Sequence, residues 1–280
     1  MNGRTLDTPV GRSYVVEVGR GRPVLVLHGG LGLDHGYLRS TLDRLADRYR
    51  LVYLDLLGNG RSGRDLDYAA IRDNSGWVRQ VTEVVEALGL DDPVILGHSY
   101  GGYLALEYAL TPAGAGRPLV LVSTAPKLDH GDLVTANARR RGTPEQVHAV
   151  QVRLARPQAD DAEWADLWRT LLPLYFHAPT PELVDRVAEG TRYSAEAFNA
   201  AHLRALRHYD VSDRLAGITG PTLVLAGDDD WILPLEICSQ PLAAGIPDAG
   251  LAVLPECGHF PFVERPEAFL AVVGDWLDRH

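Results

Sequence analysis

The sequence predicts an α/β fold: a mostly parallel sheet with helices on both faces and an inserted helical lid. Three observations carry that expectation. Short, fully apolar runs alternate with segments of helical periodicity, the pattern of strands buried on both faces of a parallel sheet. Between residues 126 and 206 the alternation stops, and the chain becomes helical and rich in Arg, Ala and aromatic residues, with no convincing strand. Finally, Gly97-His98-Ser99-Tyr100-Gly101 stands between an apolar run and a run of good helix formers, which reads as a tight strand-to-helix turn with serine at its apex.

At 280 residues, 46% hydrophobic, the chain can bury a large core. Residues 1–125 and 207–280 are expected to form that core, and 126–206 a helical cap. Residues 5–18 give two short strands broken at Gly11-Arg12, a hairpin. The run 23–27 is a strand that leads straight into His28-Gly29-Gly30-Leu31-Gly32. Helical spacing follows over 37–49, at Leu38, Leu42 and Leu45, and 51–54 is again a strand, closed by Asp55 through Ser62. Ser75 is expected to cap a helix with apolar positions Val78, Val81, Val84, Val85 and Leu88, ended by Gly89. The strand before Ser99, its helix, and a strand at 118–122 complete the first half.

In the cap, Trp164, Leu167, Trp168, Leu171 and Tyr175 fall on one helical face, able to pack on the body and to roof a site. Arg139-Arg140-Arg141 reads as a solvated face. The alternation resumes with a strand at 222–226 ending in Gly227-Asp228-Asp229-Asp230, a last strand at 251–254 before Gly258-His259, and a closing helix over 266–277.

Acyl transfer through serine needs an exposed hydroxyl, a base for its proton, a carboxylate to orient that base, and donors for the oxyanion. Each has a candidate at the C-terminal end of a strand, where open α/β sheets place their sites. Ser99 is the candidate nucleophile, with Gly97 and Gly101 beside it because side chains there would collide as strand and helix converge. His259 is the candidate base. Asp230 is the candidate acid, with Asp228 and Asp229 competing, since spacing alone does not exclude them. The Gly30 and Tyr100 backbone N–H groups are the oxyanion candidates. Leu31, His98, Trp168 and Tyr175 are candidate substrate contacts. His28 is expected to brace its loop, and Asp55 with Arg61 to brace a turn.

The formal net charge of −10 argues against a nucleic-acid partner and against strongly anionic substrates. No metal cluster or dinucleotide fingerprint is present, so no cofactor or metal is expected. Cys238 and Cys257 stand outside any C-x-x-C and read as free thiols of a reducing compartment. The N-terminal stretch is polar, and no apolar run nears the ~20 residues that span a bilayer. A cytoplasmic protein with no membrane partner is therefore expected, acting on a small molecule or short peptide. The sequence does not speak to oligomeric state.

These residues resemble the α/β-hydrolase superfamily over nearly the whole chain. Within it, H-G-G-L-G followed by Tyr37 looks like the H-G-G-P-G signature of prolyl aminopeptidases, and Y-L-D-L-L-G-N-G-R-S, S-Y-G-G and G-H-F-P-F-V-E-R-P are similar to that group. The resemblance implies a cofactor-free serine hydrolase that removes an N-terminal residue, often proline, from short peptides, with lid carboxylates binding the free amine. Leu31 stands in place of the signature proline. Near Phe198, where that group carries an amine-binding Glu, this chain has Asn199, with Glu196 close by. A carboxylesterase or lactonase would use the same residues. A hydrolase-like ligand-binding protein and a cofactor-free lyase share the constellation.

Overall fold

The computed structural model describes residues 3–280. Its framework is one eight-stranded sheet ordered β1-β2-β4-β3-β5-β6-β7-β8. The strands are β1 (Gly3–Thr8), β2 (Gly11–Val18), β3 (Arg22–Leu27), β4 (Tyr49–Asp55), β5 (Val94–His98), β6 (Leu119–Val122), β7 (Thr222–Gly227) and β8 (Ala249–Leu254). The β1–β2 and β2–β4 pairs are antiparallel and the rest are parallel. The hairpin closes two residues earlier than expected. Thr8 pairs with Gly11, so the turn consists of Pro9 and Val10 and Gly11-Arg12 already lies in β2. Pro9, which has no N–H for a ladder, suits the turn and not the strand.

The apolar strands divide their side chains between two cores. Val24, Val26, Val94, Leu96, Val120 and Val122 face one layer. Leu25, Leu27, Ile95, Leu119 and Leu121 face the other. This alternation explains why every residue of these runs is apolar: neither face meets water. The first layer is covered by α1 (Gly36–Leu42) and by α11 (Pro266–Leu277), which α10 (Pro261–Glu264) precedes. The second is covered by α2 (Ser75–Ala87), α3 (Tyr100–Ala109) and α9 (Ser239–Gly245).

Ser75 opens α2 but does not cap it. Asn74 holds the cap position without a side-chain bond to the helix, because its Oδ1 accepts the Tyr100 hydroxyl across to α3 at 2.9 Å. Gly89 ends the helix as expected, in the left-handed region at φ +55°, while Leu90 N–H reaches back to the Val85 carbonyl.

Between β6 and β7 the chain leaves the sheet as α4 (Gly131–Arg141), α5 (Pro144–His148), α6 (Asp161–Leu171), α7 (Pro181–Ala188) and α8 (Ala195–Leu203), with a π turn at Ala149–Arg153 and 3₁₀ turns at Leu172–Tyr175 and Ala205–His208. A single antiparallel bridge, Lys127 to Asp210, joins the two ends of this insertion among the described residues. The Trp164–Tyr175 stripe is buried. Arg139 and Arg140 are exposed, but Arg141 turns inward to Asp229, against the expectation of a wholly solvated arginine face. Among the described residues, no helix is long and apolar enough to cross a membrane.

Candidate active site

Ser99 sits at the sharp turn from β5 into α3 with φ +53°, ψ −116°, a conformation costing on the order of 1–3 kcal/mol for a non-glycine residue. Bonds on both its peptide groups hold it there. Its N–H donates to Val122 O at 2.9 Å, and its carbonyl accepts from Gly102 N–H, Tyr103 N–H and the Thr124 hydroxyl. The Ser99 hydroxyl makes no bond to the helix end and lines a cavity of about 290 Å³ beneath the cap. The flanking glycines are steric necessities. A Cβ on Gly97 would lie 2.4 Å from the Gly101 carbonyl oxygen, and one on Gly101 2.2 Å from that of Leu27.

His259 follows β8 and lines the same cavity. Its Nδ1 lies 2.6 Å from Asp230 Oδ2, with both side chains almost fully buried. The Asp230 Oδ1 accepts from the Ile232 and Leu233 N–H groups, each at 3.1 Å, which fixes the carboxylate's orientation. The structure separates the three consecutive aspartates. Asp228 accepts from Cys257 N–H, Asp229 from Arg141 and His177, and only Asp230 meets His259. The base loop is held from two further sides. His259 N–H donates 2.7 Å to Tyr175 O of the cap, and the Glu264 carboxylate clasps Gly258 N–H and His177 N–H. Burial pushes the Glu264 pKa up against those bonds.

Gly30 and Tyr100 both border the cavity. Neither backbone N–H has a protein acceptor among the described residues. Gly30 is left-handed, φ +68°, so glycine suits the turn that exposes its amide. Behind it His28 is buried and braces the loop, as expected: its Nδ1–H donates to Gly29 O while Nε2 accepts Leu56 N–H, and burial lowers its pKa. The cap grips the same loop, since the Gly32 carbonyl takes both Trp164 Nε1–H and Ser194 N–H. Asp55 and Arg61 brace their turn as expected, through the Arg61 backbone N–H, which donates 2.8 Å to Asp55 Oδ2; the other carboxylate oxygen meets the His35 ring at 2.5 Å, and the Arg61 guanidinium lies over the Tyr14 ring.

Leu31, His98, Trp168 and Tyr175 all line the cavity, but both ring nitrogens of His98 are engaged by Tyr37 and by the His259 carbonyl, so its ring serves as wall. The lining also includes Tyr103, His130, Phe198 and His202, which the sequence did not single out. They come from α3 and the cap, where no motif marks them; His202 is recognisable only as the residue four after Phe198, on whose ring it stacks. No Asp, Glu, Lys or Arg lies among the lining residues. Glu196 is exposed, and Asn199 is bonded to the Gln158 backbone.

Ser99 in its strained turn, His259 paired with the buried Asp230, and the Gly30 and Tyr100 amides thus border one cavity. The chain belongs to the Alpha/beta hydrolase family, whose profile matches residues 24–272. It is 29% identical over 262 residues to the proline iminopeptidase PfmaB of Pestalotiopsis fici, covering 91% of this chain and 92% of that protein. It is 30% identical over 257 residues to the putative carbamate hydrolase RutD of Azorhizobium caulinodans, covering 90% and 89%. Among solved structures it resembles an esterase from Exiguobacterium antarcticum, with a TM-score of 0.78, 23% identity and coverage of 99% and 100%.

Proposed function

We propose that this hydrolase cleaves small, uncharged esters through an acyl-enzyme on Ser99, with carboxylesters or lactones as the substrate class. In this reading His259 takes the Ser99 proton as the hydroxyl attacks the carbonyl, and the Gly30 and Tyr100 amides hold the oxyanion. His259 then protonates the leaving alcohol, and the same base activates the water that releases the acid. Asp230 keeps the imidazole in the tautomer that leaves Nε2 free to accept. The steps need no group beyond these side chains and amides.

The carrying observation is the uncharged lining of the cavity. A free α-ammonium buried there would meet no carboxylate, and desolvating an unpaired charge costs several kcal/mol. The relatives named proline iminopeptidase support a second reading, a prolyl aminopeptidase, in which His130 or His202 would have to receive the amine. Residues 126–206 act in either reading as the cap that roofs the site, with small molecules or short peptides as partners. The two buried free cysteines support a cytoplasmic setting, and the net negative charge speaks against nucleic acid.

The test compares kcat/KM for p-nitrophenyl butyrate with that for proline p-nitroanilide, using Ser99→Ala and His259→Ala as controls. Ester turnover that falls by about 10³-fold or more in both variants, with unchanged circular dichroism, is the expected result. A prolyl amide preferred over the ester, and lost on blocking its amine, would replace the esterase reading with the aminopeptidase one. Ester turnover persisting in Ser99→Ala would remove the acyl-enzyme.

A further inference from the structure

We propose that Tyr37 and His98 act together as positioning residues, tying the oxyanion loop to the catalytic base through one continuous chain of hydrogen bonds; this rests on the Ser99–His259 reading above. The chain starts at Gly29, whose N–H donates to Tyr37 Oη at 2.7 Å. Tyr37 Oη lies 2.7 Å from His98 Nδ1, and His98 Nε2 lies 3.1 Å from the carbonyl of His259. Chemistry fixes the direction of every bond. The His259 carbonyl can only accept, so Nε2 carries the proton of the neutral ring and donates to it. Nδ1 is then an acceptor, so the Tyr37 O–H donates to it while its oxygen accepts the Gly29 N–H. Only one tautomer of His98 satisfies all three contacts.

The two ends of this chain are the two parts of the site that must stay in register. Gly29 precedes Gly30, whose amide would hold the oxyanion, and His259 is the base itself. The loop after β3 and the loop after β8 are separated by more than two hundred residues of sequence, and here they are joined through two side chains. Both side chains are buried, Tyr37 4% and His98 1% exposed, and both pack on Phe260 and Phe262. Burial first, and the neighbouring His259 second, hold the His98 pKa well below the ordinary imidazole value, consistent with the neutral tautomer that the contacts demand. From the opposite side the Tyr175 carbonyl takes the His259 N–H, so the backbone of the base is held at both its donor and its acceptor. His98 therefore does more than wall the cavity: without it the His259 carbonyl loses its partner and the loop its lateral stop.

Catalytic groups must keep their geometry to within about 0.5 Å, and misplacements near 1 Å cost up to about 10²-fold in rate. The experiment is a double-mutant cycle on p-nitrophenyl butyrate hydrolysis, with Tyr37→Phe, His98→Leu and the double variant, each checked by thermal melting. The expected result is a fall in kcat of about 10- to 100-fold in each single variant, with KM changed less than about threefold. The double variant should be no slower than the worse single one, because either change breaks the same chain. In His98→Gln the amide can accept from Tyr37 and donate to His259, and kcat should recover most of the loss. This Gln-to-Leu contrast also carries the test if Tyr37→Phe folds poorly. Losses that multiply in the double variant, a kcat untouched in Tyr37→Phe, or Gln as slow as Leu would each overturn the proposal. Ser99→Ala at wild-type rate would instead overturn the acyl-enzyme reading beneath it.

Discussion

Asp228, Asp229 and Asp230 have the same chemistry, yet successive peptide rotations at the end of β7 aim them at three different partners. Asp229 serves a joint between cap and core, receiving Arg141 at 2.8 Å and His177 at 2.9 Å, while Asp230 receives the imidazole of His259. Asp230→Asn should therefore lower kcat by about 10³–10⁴-fold, because an amide that donates to Nδ1 favours the tautomer in which Nε2 carries the proton. Asp229→Asn leaves His259 alone and should cost less than about tenfold, since its ion pairs are partly exposed and weak. Steady-state kinetics on both variants decide, and a larger loss at Asp229 would reassign the acid. At this scale the sequence was informative where a motif pins one residue, as at Ser99, and mute where the answer lies in which way a loop residue faces. Spacing could not aim the three aspartates, and it showed Asp55 bracing the turn to Arg61 but not His35, which reaches the same carboxylate from a different loop.

The element on which the site depends is the β5–turn–α3 unit, and its tolerance is set by backbone atoms. At Gly101 a Cβ would press on the Leu27 carbonyl at 2.2 Å, an atom of the neighbouring strand that has no rotamer to escape into. Gly101→Ala is thus expected to destabilise the protein by about 2–4 kcal/mol or to abolish soluble expression. Gly76→Ala, in the first turn of α2 with open space around it, should be neutral or stabilising by up to about 1 kcal/mol. Urea unfolding of the two variants reads the contrast, and similar stabilities would show that the elbow can relax. Elements of this kind were legible because they are buried on both faces: apart from Arg22, His98 and Thr222 at their ends, β3, β5, β6 and β7 carry no polar side chain. The cap was legible only as helical with one apolar stripe. Its π turn at Ala149–Arg153 and the inward swing of Arg141 depend on what the helices pack against, and periodicity carries no record of that. Likewise Ser75 has the right chemistry for a cap, but the chain enters α2 with Asn74 drawn across to Tyr100.

The molecule as a whole is two apolar layers on one sheet with a cap over the strand ends, and it carries several histidines out of water. Burial lowers the pKa of His28 and of His202, and lowers that of His98 further. In the unfolded chain each would titrate near ~6.5. A base whose folded pKa is depressed binds fewer protons folded than unfolded in the window between the two values. Stability is therefore fully present above about pH 6.5 and is lost as pH falls towards the folded pKa, by about 1.4 kcal/mol per pH unit for each such group. Glu107 and Glu264 act with the opposite sign: burial raises both pKa values, so their contribution is greatest below about pH 4.5 and declines as pH rises through the folded value. Asp55, where burial is outweighed by the His35 bond and charge, is depressed and acts only below the usual carboxylate range, outside the histidine window. Wild-type protein should accordingly lose stability in denaturant titrations as pH is lowered from 7.5 to 5.5. In His98→Gln and His28→Gln, glutamine takes no proton on unfolding, so each variant should lose less stability than wild type over that interval, with the larger difference in His98→Gln. A slope identical in all three proteins would mean that these imidazoles accept protons inside the fold, and the neutral tautomer that links Tyr37 to His259 would then not survive at the acid end.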